Sequence, residues 1–139
     1  MRLALALLVS LFAATVATPA FAADDKAKSP PGSTVEMPYL IAPVVVDDHL
    51  VAYAYISCKI ITASPAVAIE VRNRLAFIQD AFVRDVNAKP IGKADDPATV
   101  DTVALQQRML ADTKRVIGAA KIKQLEFITV QMAPMGKGS

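Results

Sequence analysis

The sequence predicts an α+β fold: a small antiparallel sheet with two helices packed on one face, in the order strand, strand, helix, helix, strand. Three observations lead there. Residues from Leu50 to Thr62 alternate apolar and polar at a period of two, the pattern of a half-buried strand. Val67, Val71, Leu75, Ile78, Phe82 and Val86 recur every three or four positions, the spacing of an amphipathic helix. The two helical segments follow one another with strands only before and after them, which argues against βα units alternating singly.

Size and charge narrow the class further. A chain of 139 residues is one domain. Its formal charge of +2 gives no clustered basic footprint, so no nucleic-acid partner is expected. A single cysteine, Cys58, rules out an internal disulfide and a cysteine-rich zinc site.

The first 22 residues read as a secretory signal peptide. Arg2 precedes an apolar run from Leu3 to Ala14 broken only by Ser10, and Ala20-Phe21-Ala22 supplies a small-x-small cleavage site. Cleavage after Ala22 would release a periplasmic chain. The alternative is an uncleaved inner-membrane anchor over residues 3–23, since about 20 apolar residues span a bilayer. Pro19 and the absence of basic residues beyond Arg2 favour cleavage. Both readings place the remainder outside the cytoplasm, with membrane contact only if the leader is retained.

Residues 23–36 are polar and rich in turn formers, and are expected to be a disordered linker. The folded domain is expected over 37–133, with a short tail over 134–139. Tyr39 to Val46 ends in three valines and favours a strand. Asp47-Asp48 marks a turn, and the strand from Leu50 to Thr62 completes a hairpin. Leu50, Ala52, Ala54, Ile56, Cys58 and Ile60 fall on its inner side, Tyr53, Tyr55, Ser57 and Lys59 on its outer side.

Ser64 is a natural cap and Pro65 is tolerated at the first helical position, so one helix of about six turns is expected from there. Glu70 with Arg74 and Asp80 with Arg84 stand four apart, acid first, as helical ion pairs. Residues 88–97 hold Lys-Pro, Ile-Gly and Asp-Asp-Pro and read as a loop. A second helix starts at about Asp101 and stops at Gly118, with Lys114 and Arg115 complementing its carbonyl end. The last strand runs from Lys121 to Met132. Its alternation slips near Leu125, which points to a bulge or to two partly covered faces.

Catalytic, cofactor-binding and metal-ligating residues are not expected. Asp47, Asp48 and His49 are adjacent in a turn, where three side chains do not converge on one centre, and they read as turn chemistry. Cys58 falls on the inner side of its strand, far from the exposure and basic neighbour a nucleophile needs. Asp95 and Asp96 read as a solvated loop and cap before Pro97. The five glycines are not grouped to cradle phosphate. The outward aromatic pair Tyr53 and Tyr55, with Lys59 on the same side, is the candidate partner contact, since tyrosine joins a large apolar ring to a polar tip. Cross-strand packing against Tyr39 or the last strand is the competing role.

From Tyr39 onward the chain resembles the FliL family of flagellar basal-body-associated proteins. The resemblance is carried by Pro38-Tyr39-Leu40-Ile41-Ala42-Pro43-Val44-Val45-Val46, by the tyrosine-containing second strand, and by the helix segment from Val71 to Asp85. Val116-Ile117-Gly118 and Leu125-Glu126-Phe127-Ile128-Thr129-Val130-Gln131 complete it. It implies a non-enzymatic domain with a stomatin-like fold on the outer side of the inner membrane, associated with the flagellar motor stator or with copies of itself. Family members keep a cytoplasmic stub and a transmembrane helix where this chain shows a leader. The family often has an Asn-Leu pair where this chain has Val46-Asp47-Asp48.

The expected function is therefore an exported, FliL-like interaction protein at the flagellar basal body or stator. The rival expectation is a periplasmic module for a small apolar ligand or lipid, held in a cavity that Ala52 and Ala54 leave between the helices and the sheet.

Overall fold

A computed structural model describes residues 29–136. The leader over 1–22, the alternative anchor over 3–23, the first part of the expected linker and residues 137–139 lie outside the described residues.

The fold is α+β, a small antiparallel sheet with helices on one face. Strand β3, His49–Thr62, is its spine. Strand β4, Ile122–Pro134, pairs with β3 from Ala52 to Thr62. The other edge of β3 is shared end to end by β1, Thr34–Glu36, and β2, Leu40–Val46. Residues 33–36 therefore belong to the domain and not to the linker. Val35 is buried opposite Ile60, and the Thr62 N–H and hydroxyl both donate to the Ser33 carbonyl, at 2.8 and 2.7 Å. The physical reason is length: β2 has 7 residues and β3 has 14, so the far half of β3 would leave its polar backbone without a partner.

The hairpin between β2 and β3 closes through Asp47 and Asp48, both at positive φ (50° and 61°). That is the two-residue geometry whose twist matches the flanking strands, and short acidic side chains tolerate it. The His49 ring Nδ1 donates to the Asp47 carbonyl at 2.6 Å. Ala52, Ala54, Ile56, Cys58 and Ile60 are buried, as the alternation requires. Leu50 departs from it. The register shifts between Val44 and Val45, so Leu50 pairs with Val45 and both are exposed, while Val51 packs on the core. A single extra residue reverses the phase of everything beyond it.

The long helix expected after Ser64 is two helices, so the helical layer has three and not two. Helix α1 spans Pro65–Asn73, with the Ser64 hydroxyl accepting from the Val67 N–H; α2 spans Leu75–Ala88. Arg74 between them leaves helical geometry at φ −109°, ψ 16°. The break lets α1 pack on β1 and α2 on β2, which one straight rod would not reach together. Glu70 is consequently drawn away from Arg74 to Lys121, at 2.8 Å, while Asp80 and Arg84 keep the expected pair at 2.9 Å.

Helix α3, Thr102–Ile117, is capped by the Asp101 carboxylate accepting from the Ala104 N–H, and ends at Gly118 with φ 130°. One turn of 3-10 helix, Ala119–Lys121, leads into β4. The slip in β4 is a pair of bulges. Its register with β3 skips Lys123 and Ile128, on either side of Leu125. Leu125 itself is buried, and its carbonyl accepts from the Gln106 amide of α3 at 2.6 Å. β4 also continues past Met132 through Ala133 and Pro134, residues expected at the edge of the domain and in the tail. The core is continuous: Phe82, Ile78, Val71, Leu105 and Met109 from the helices meet Ile56, Ile60, Val44 and Leu125 from the sheet.

Candidate functional site

Two surfaces carry features that packing alone does not explain. The first is the sheet face turned away from the helices. Antiparallel register places Tyr53 opposite Pro43 and Ala133, and Tyr55 opposite Ile41 and Gln131. Tyr39 is 63% exposed, Ile41 52%, Tyr55 37% and Tyr53 36%. No described element covers them. The two tyrosines share one face as the alternation requires, and β2 adds Ile41 opposite Tyr55, with the exposed Tyr39 one residue before that strand. Ile41 is legible in the sequence only as a strand residue, because the face of a first strand is known once its register with β3 is known.

Lys59 lies on the same face but apart from the tyrosines. It sits between Glu36 and Glu126 across the strands, with Nζ 2.9 Å from Glu126 Oε2. Four residues of strand put it roughly 13 Å from Tyr55. Exposed pairs of this kind contribute about 1 kcal/mol or less.

The second surface is a groove of about 750 Å³ between α2 and α3. The Asp112 side chain on α3 lines it and is only 6% exposed. One carboxylate oxygen is held by Arg115; the other, Oδ2, is buried without a hydrogen-bond partner. Burial and the Asp85 carboxylate raise its proton affinity above the usual carboxylate range, against the opposing pull of Arg115 and Lys89. Arg74, at the break between α1 and α2, donates to the Val116 carbonyl at 3.2 Å and has no carboxylate partner among the described residues. Nothing in the sequence pairs Arg74 with Asp112, since they come from different helices.

The remaining chemistry-bearing residues read as structure. Cys58 is buried and its thiol is pushed up to about 12 by desolvation, so it is not a thiolate nucleophile at neutral pH. Ala52 and Ala54 are packed into the core. Among the described residues no helix is long and apolar enough to cross a membrane.

No protein-family model matches the chain, and no curated protein matches it.

Proposed function

We propose that this is a non-enzymatic, exported interaction protein of FliL-like type, which docks a protein partner on the outer face of its sheet. The observation that carries the reading is the group of Ile41, Tyr53 and Tyr55, each more than a third exposed on one uncovered sheet face, with the exposed Tyr39 directly before β2. Aromatic side chains with polar tips are the residues that protein interfaces enrich. The order of strands and helices and the segments quoted from Tyr39 to Gln131 support a place at the flagellar motor, with a stator subunit as the partner.

Photocrosslinking in living cells tests it. A photoreactive residue at position 55 is expected to yield an adduct containing a stator subunit, and the same residue at Ile69, exposed on α1, is not. Equal adducts from both positions, or none from position 55, would overturn the reading.

A further inference from the structure

We propose that the groove between α2 and α3 binds a small zwitterion, taking the ligand's ammonium at Asp112 and its carboxylate at Arg74. The site is on the helical layer, so the inference goes beyond the partner-binding reading and does not depend on it.

The first support is the unpartnered Asp112 Oδ2. A buried acceptor with no donor costs about 1–3 kcal/mol, and a charged N–H donor is the group that best removes that cost. The carboxylate's other oxygen is held by Arg115, whose side chain is 70% exposed.

The second support is the position of Arg74. Its Nη1 is engaged by Val116, which follows Asp112 by four residues. The two residues lie on one side of α3, about one helical turn apart, with a rise of about 6 Å between their Cα atoms. The other N–H groups of the arginine fork remain to bind a carboxylate. Ala81 and Val116 line the groove, and Phe77 stands at its rim, 69% exposed. They offer apolar contact to a short hydrocarbon spacer.

The third support is charge balance. Asp80 is already paired with Arg84, and Asp85 with Arg108 at 2.7 Å. Arg115 is engaged by the other oxygen of Asp112, so the groups left over in the groove are the Arg74 guanidinium, without a carboxylate, and the Asp112 Oδ2, without a donor. A ligand with a carboxylate at one end and an ammonium at the other matches both.

The test is a titration of the purified, 15N-labelled protein with glycine, β-alanine, 4-aminobutyrate and 6-aminohexanoate, followed by amide shifts. Butylamine and butyrate serve as single-charge controls. Saturable shifts are expected at Arg74, Ala81, Asp112 and Arg115, strongest for one intermediate spacer, with both controls at least about tenfold weaker. Asp112→Asn should weaken binding by about tenfold or more. Ala81→Leu, which fills the groove without touching the carboxylate, should do the same and decides the matter if the Asp112 variant folds poorly. Equal binding of butyrate, no saturable shift with any amino acid, or unchanged binding in a well-folded variant would overturn the proposal.

Discussion

Arg108 of α3 holds Asp85 of α2 by two nitrogens, Nη2 at 2.7 Å and Nε at 2.8 Å from the same carboxylate oxygen. The same guanidinium donates to the carbonyls of Asp85, Lys89 and Pro90, at 3.2, 3.4 and 2.8 Å. It therefore acts as the missing cap of α2, whose last turn carries no basic residue of its own, and a cation there also meets the negative end of the helix dipole. The helix pair that frames the groove is fastened at this point.

Arg108→Ala should accordingly destabilise the fold by about 2–4 kcal/mol, because it leaves the mostly buried Asp85 carboxylate with only the long Lys89 contact, at 3.9 Å, to offset its charge. Arg108→Lys keeps the charge and loses the fork, and should recover only part of the loss. Urea denaturation of the three proteins measures this. A loss below about 1 kcal/mol for the alanine variant would mean the contact is an ordinary surface pair.

Asp112 gives a pH dependence of defined sign. Burial raises its folded-state pKa above the unfolded value, so the folded protein binds this proton more tightly. The group's contribution to stability then falls as pH rises through the window above the ordinary carboxylate range. Asp112→Asn lacks that titration. Its melting temperature relative to the wild type should rise between about pH 4 and about pH 7. A difference that stays flat across that range contradicts the assignment.

Cys58 should be chemically silent in the folded state. Its thiol, buried and pushed up to about 12, should not react with an aromatic disulfide reagent at mildly alkaline pH, and should react stoichiometrically in guanidinium. Prompt labelling of the folded protein would place the strand face in solvent.

Gly92 bridges to Val100 in the loop before α3. A β-carbon there would sit well inside van der Waals contact with the Pro97 carbonyl. The obstacle is backbone, which cannot rotate away. Gly92→Ala is expected to cost more than about 2 kcal/mol by thermal or chemical denaturation. An unchanged midpoint would show that the loop has room to shift.

The hairpin and the capped helices were legible because each is written in local terms. Alternation set the inward face of β3 from Ala52 to Ile60, and Ser64-Pro65, Asp101 and Gly118 marked helix ends. What escaped depends on distant partners. The stripe continues smoothly from Val71 to Leu75, so the break at Arg74 follows only from where β1 and β2 lie. Val35 reads as an isolated apolar residue in a polar segment until Ile60 is set beside it. The bulge that exposes Leu50 and turns Val51 toward the core has no local signature. The sheet-face tyrosines were visible in the pattern; the groove was not, because Arg74, Asp85 and Asp112 come to line one opening only through the packing of α2 against α3.

Whether the sheet face serves the flagellar motor is decided by the swimming of a clean deletion strain, measured in ordinary and viscous medium with the wild-type gene or a Tyr53→Ser/Tyr55→Ser variant restored. The substitutions should cost the isolated protein no more than about 1–2 kcal/mol. The deletion should impair swimming in cells that still build flagella, the wild type should restore it, and the stably expressed variant should not. Full swimming in the deletion strain, or full rescue by the variant, would contradict that role.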